Sequence, residues 1–302
     1  MKNSLKLSLA TLLLFSGNLL FSQNDTSMLS MLDPEEETVY VGSTYKSTRI
    51  VNSHSLKTTP KGVLDFRIAH RFGFVNTGIY EMFGLDQATI RLGFDYGITD
   101  WLMVGVGRSS FDKTYDGFVR AKILRQSTGA KEMPISLQYL ATTEVNTLKW
   151  ENPDRDNLFS SRLAYTHQLI IGRKFSKSLT LQLMPTLVHR NLVENKDLSN
   201  DVLALGGGGR VKITNRVAIT GEYYYVLPDQ IQDTYENSIA IGVDIETGGH
   251  VFQLHVTNST PMVENGFVTQ TTGNPFDGDI HFGFNISRVF TLVKPKSFRK
   301  SK

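Results

Sequence analysis

Seven histidines, a run of four glycines and a short His-Asn-Ser tract are the residues of this chain whose types could do chemistry. The histidines, His54, His70, His167, His189, His250, His255 and His281, contain no His-Glu-x-x-His pair or comparable metal spacing. His255 and His281 fall at inward positions of neighbouring strands in the reading below. There they could pair on a metal or haem, or serve as hydrogen-bonded interior groups. Gly206 to Gly209 is followed by Arg210 and not by Gly-Lys-Ser/Thr, and no helical pattern begins there. That argues against a phosphate cradle and for close packing or a bend in a strand. The tract His255-Val-Thr-Asn258-Ser259 has the residue types of an acyl-transfer site, but Ser259 sits about 13 Å along an extended strand from a histidine that points inward. The chain has no cysteine, which excludes a thiolate metal site, a disulfide scaffold and a cysteine nucleophile. The expectation is no catalytic residue, no cofactor, no metal site and no enzyme.

The elements that would position these residues are strands. From Gly62 to Phe74, Leu64, Phe66, Ile68 and Phe72 alternate with Asp65, Arg67, Ala69 and Arg71, and Ala88 to Thr99 repeats the period. Continued down the chain, the period predicts twelve strands near 62–74, 87–99, 101–110, 115–125, 134–144, 160–173, 178–189, 202–214, 216–227, 237–246, 250–259 and 279–292. Short joins alternate with longer ones rich in Asn, Asp, Gly or Pro, and both chain ends fall on the short side. That is the plan of an outer-membrane barrel. In hydrocarbon every backbone amide must be satisfied internally, so a sheet can span only by closing on itself. Faces such as Leu179, Leu181, Leu183 and Leu187, or Ile239, Ile241, Val243 and Ile245, need either lipid or a second sheet to cover them. The sandwich is the alternative to the barrel. Trp101, Phe175, Tyr223, Tyr225 and Phe290 fall near strand ends, where ring side chains suit the headgroup layer.

The first 22 residues read as a cleaved secretory signal, with basic Lys2 and Lys6 ahead of an apolar stretch ending at Ser22. The net charge of the 302-residue chain is +3, or +1 once those two lysines are gone, so no strongly basic face for nucleic acid is announced. The organisation expected is a signal peptide over 1–22, a leader over 23–60, one all-β antiparallel up-and-down transmembrane barrel over 61–293, and a basic tail over 294–302. The leader is either a periplasmic tether or a plug folded inside the barrel. Its Lys46, Arg49, Asn52 and His54 would suit a charged lumen.

The run Ser43-Thr-Tyr-Lys-Ser-Thr-Arg-Ile-Val-Asn52, then Lys61-Gly-Val-Leu-Asp-Phe-Arg-Ile-Ala-His-Arg-Phe-Gly73 and Tyr115-Asp-Gly-Phe-Val-Arg-Ala-Lys-Ile-Leu-Arg-Gln-Ser-Thr-Gly129, resembles an uncharacterised family of outer-membrane β-barrels from Bacteroidota. The resemblance covers about Thr44 to Leu292. It implies a Gram-negative outer membrane and the barrel fold, and it brings no reaction and no functional residues.

By the period, the lumen receives Arg67, Arg91, Asp95, Arg120, Lys122, Arg162, Arg210, Glu222, Asp244, His255 and His281, together with Asp65, Arg71, Lys212 and Asp279. Basic groups in excess could line a narrow path for small anions. The same arginines locked to carboxylates would make a closed, salt-bridged core. The functional expectation is a narrow or gated channel for small solutes, and the alternative is a non-transporting barrel that binds a partner. The partners expected are outer-membrane lipid, the barrel-insertion machinery and a periplasmic protein held through residues 23–60.

Overall fold

The computed structural model describes residues 36–150, 152–193 and 198–293. The signal expected at 1–22, the first part of the leader and the basic tail lie outside the described residues.

Twelve strands form the wall. They are β1 (Val63–Phe74), β2 (Ala88–Gly97), β3 (Leu102–Ser109), β4 (Tyr115–Leu124), β5 (Ser136–Val145), β6 (Leu163–Lys174), β7 (Leu179–Arg190), β8 (Asp201–Lys212), β9 (Val217–Val226), β10 (Ile239–Thr247), β11 (His250–Thr257) and β12 (His281–Thr291). Each pairs antiparallel with its chain neighbour, and β12 returns to β1, where Ile286 faces Ile68. Closure leaves the wall without an edge strand, which a sheet in hydrocarbon requires.

The period-two pattern sorts side chains between two environments. On β1, Asp65, Arg67, Ala69 and Arg71 are buried, and the residues between them turn outward. The outer face is apolar and uncovered: Leu183 is 55% and Ile241 54% exposed. Lateral contacts within this face include apolar ones, as where Phe66 stands opposite Phe94 with ring centroids 5.0 Å apart, and polar ones, as where Tyr139 Oη lies 2.7 Å from His167 Nδ1. Exposed Trp101, Phe175 and Phe290 mark one rim, and Tyr223 and Tyr225 lie toward the other. The first rim carries the joins 98–101, 125–135, 175–178, 213–216 and 248–249, and the opposite rim carries 75–87, 110–114, 146–162, 191–200, 227–238 and 258–280.

The interior is divided in kind. Toward the long-loop end Leu140, Ile170, Met184, Val188, Val202, Ala204, Tyr224 and Val226 form an apolar seat. Phe267 and Val268 of the short helix α1 (Glu264–Thr269), part of the inward-folded 258–280 loop, pack on it, with Tyr224 and Phe267 at 5.2 Å between ring centroids. Tyr45, Ile50, Leu56, Met103 and Phe118 extend this apolar cluster, and buried Gln138, Thr142, Thr180, Gln182, Gln253 and Asn285 stand among the charged groups of the rest of the interior.

Candidate functional site

Residues 44–60 run into the lumen from the short-turn end and back out. The Thr44 carbonyl accepts from Arg210 Nη1 at 3.0 Å and from Thr180 Oγ1 at 3.3 Å. Ile50 N–H donates to the Ser53 carbonyl at 2.8 Å and Ser55 N–H to Thr48 at 3.0 Å, so the chain reverses as a narrow hairpin. Its tip is held by one carboxylate. Glu222 accepts from the Asn52 N–H at 2.8 Å, from the Val51 and Ser53 N–H groups, and from the Ser53 hydroxyl. Successive amides converging on a carboxylate form a small anion nest.

A hairpin with no strand beside it must satisfy its backbone elsewhere. Here the wall does so. Gln253 Nε2 donates to the Ile50 carbonyl at 2.8 Å, and Asn285 Nδ2 to Val51 at 3.0 Å. Gln182 brackets the returning limb, accepting from the Leu56 N–H at 3.1 Å and donating to His54 at 2.8 Å, while Gln138 donates to Leu56 at 2.8 Å. Wall glycines make the room: a Cβ on Gly208 would collide with Ile50, one on Gly172 with Leu56, and one on Gly97 with the Thr59 and Pro60 carbonyls.

The charged interior is engaged group by group. Arg67 Nη2 donates to Thr48 Oγ1 at 2.6 Å and lies 3.4 Å from Asp65. Asp95 accepts from Thr48 at 3.0 Å and from Arg49 at 3.3 Å. Arg91 forms a two-bond pair with Asp116, its Nε 2.9 Å from Oδ1. Arg120 donates to Gln138 at 2.7 Å and to the Ser55 and Lys57 carbonyls. Asp244 accepts from Gln253 at 2.9 Å. His281 uses both ring nitrogens, on the Phe72 carbonyl at 2.8 Å and on Thr260 at 2.9 Å, and so is not set as half of a ligand pair. His255 is buried against Gly283, where a Cβ would strike its ring.

Two expected lumen positions need correction. Arg162 precedes β6 in a short 3-10 turn at Phe159–Arg162, not in the strand. Its guanidinium covers the Trp150 ring at 3.8 Å and bonds the Asn146 and Leu148 carbonyls in the outer loops, because the chain turns before extending. Asp279 likewise lies ahead of β12, accepting from Asn76 and Asn274 in the loops. Lys122 reaches the short-turn rim, where it donates to the Asp100 carbonyl at 2.7 Å. Asp116, Gln138, Gln253 and Glu264 were not singled out from sequence. Asp116 shares the inward parity of Arg120, which the period could have shown, whereas Glu264 sits in a loop without period.

Hairpin and inward loop meet at His54. Its Nδ1 lies 2.8 Å from Arg49 Nη1 and 3.1 Å from Arg120 Nη1, and its Nε2 lies 3.6 Å from Glu264 Oε1. Burial, with Arg49 and Arg120 adding repulsion, holds the ring well below the usual histidine range, so it accepts at Nδ1 as a neutral imidazole. The loop is fixed in turn by the Asn265 N–H, which donates to Glu144 at 2.8 Å.

The sequence from residue 45 to residue 290, hairpin and wall together, matches the family model described as a membrane bound beta barrel domain, DUF5777. The chain belongs to this DUF5777 family. No curated protein is similar enough to count as a relative. Among solved structures this DUF5777 barrel is similar to the NanC porin, at 12% identity and TM-score 0.48 over 76% of this chain and 100% of that one. It is also similar to the KdgM porin, at 11% identity and TM-score 0.45 over 76% and 99%. A third is Acinetobacter baumannii Omp33, at 7% identity and TM-score 0.41 over 75% and 97%. A membrane-bound closed barrel with an apolar exterior belongs to the Gram-negative outer membrane. In barrels of this kind the short turns face the periplasm and the long loops the outside.

Proposed function

We propose that this DUF5777 barrel is a gated outer-membrane channel for small solutes, with the hairpin 44–60 as the gate and the described conformation as its closed state. The observation that carries this reading is the contrast between the two lumen fillings. The inward loop rests on apolar side chains through Phe267 and Val268. The hairpin adds Tyr45, Ile50 and Leu56 to the same apolar cluster, and along the rest of its length it is held by wall groups such as Glu222, Gln182, Gln138, Gln253 and Asn285 that water can hydrogen-bond as well. A permanent filling gains more from apolar packing than from buried polar pairs, whereas a polar wall stays hydrated when its occupant leaves. The chain ahead of Thr44 leaves at the periplasmic mouth, where Val41 N–H bonds the Gln126 carbonyl. A periplasmic partner gripping this leader would draw the hairpin out.

The test is planar-bilayer conductance of the intact chain and of Glu222→Ala, which removes the acceptor for the hairpin tip. Wild type is expected to stay mostly closed and the variant to open often. Silence from both, with each barrel folded by heat-modifiable gel mobility, overturns the channel. The second reading is a non-transporting, partner-binding barrel. It is favoured by Arg91–Asp116, an ion pair buried between wall side chains, and it forecasts that silence.

A further inference from the structure

We infer that the outer mouth of the barrel is a binding site for a small hydroxylated organic acid. A cavity of ≈ 680 Å³ opens at the long-loop end, with residues from 146–150 and 152–162 on one side and Pro261 to Gly266 beneath it. Ligand pockets run from roughly 300 to 1,000 Å³, so the space suits a molecule and is far larger than a bare ion.

Among the described residues the charge of its lining is unequal. Lys149, Arg155, Arg162 and Arg190 face Asp112 and Glu144, and Glu144 already accepts the Asn265 N–H that ties down the floor. Arg162 is held in place. Its Nη1 donates to the Asn146 carbonyl at 2.8 Å and to Leu148 at 2.6 Å, and its guanidinium stacks 3.8 Å from the Trp150 centroid. A cation fixed this way has given up its side-chain freedom before any ligand arrives, which favours binding. Asn152, Asn157 and Gln270 also line the space, and side-chain amides both donate to and accept from hydroxyls. Phe111, Trp150 and Met262 offer apolar wall to a carbon skeleton, which an inorganic anion would leave unused.

This assignment names a solute class for the channel reading and in that sense rests on it, so binding is measured apart from conductance. The chain has two tryptophans, Trp101 at the periplasmic rim and Trp150 in the cavity wall. In the intact chain carrying Trp101→Phe, gluconate is expected to change Trp150 emission saturably. Sorbitol, which has a hydroxymethyl group in place of the carboxylate, should leave it unchanged. Lys149→Gln with Arg155→Gln, both on the exposed loop, should weaken gluconate binding about tenfold with the barrel still folded. Calorimetry on the unmodified chain gives a second readout independent of the fluorophore. Gluconate binding no better than sorbitol, inorganic phosphate binding as tightly as gluconate, or an unaffected double variant each overturns the site. If binding fails while Glu222→Ala conducts, the site falls and the channel stands; saturable binding without conductance in either protein keeps the site and removes the channel.

Discussion

At the scale of single residues, the lumen is a set of local bargains between charge and burial. Arg91 and Asp116 are both buried, and each satisfies the other. Arg91→Met should cost about 3 to 5 kcal/mol in urea unfolding, because Asp116 is left as an unpaired buried carboxylate. Adding Asp116→Leu should recover most of that loss, and the urea midpoints of the two variants check it. The period told which side chains face inward, and for Arg67, Arg91, Asp95, Arg120, Arg210, Glu222 and Asp244 the inward parity of the strands agrees with their burial. It could not tell partners apart. Glu222 and Asp244, weighed as acceptors for arginine, accept instead from hairpin amides and from Gln253. Arg162 went astray for a different reason: β6 starts at Leu163, and a strand drawn a few residues early carries a loop side chain into the lumen.

At the scale of elements, lipid reads one face of each strand and the hairpin reads the other. Leu181 is exposed on the outer face of β7, and the next residue, Gln182, hydrogen-bonds the hairpin. Leu181→Arg should therefore lower the stability of the inserted barrel by about 2 to 4 kcal/mol if the site is near the midplane. Gln182→Leu should leave insertion intact and loosen the hairpin, and heat-modifiable mobility separates the two outcomes. Gly208→Leu acts on the hairpin from β8. With Ile50 already where a Cβ would go, the larger side chain should displace the tip and raise protease cleavage within residues 44–60, while the wall stays resistant. The strands were legible because alternation is a local property. For 44–60 the polar residues left tether and plug both open, since the backbone there is satisfied by side chains from β5, β7, β9, β11 and β12, far away in sequence, and no period in 44–60 announces them.

At the scale of the whole molecule, a closed wall needs nothing inside it to remain a barrel. Its backbone pairs around the full circuit and its apolar surface faces lipid, so hairpin and wall are separable in principle. The family match, which begins at residue 45, covers hairpin and wall as one domain, and the account assigns them different tasks: the wall spans and the hairpin closes. The most direct test joins residue 36 to residue 61 and records conductance in a planar bilayer beside the intact chain. With both proteins shown to be folded by heat-modifiable mobility, the account predicts steady conductance from the shortened barrel and long closed periods from the intact one. A folded, shortened barrel as silent as its parent would contradict it, because the lumen would then be shut by something other than the hairpin.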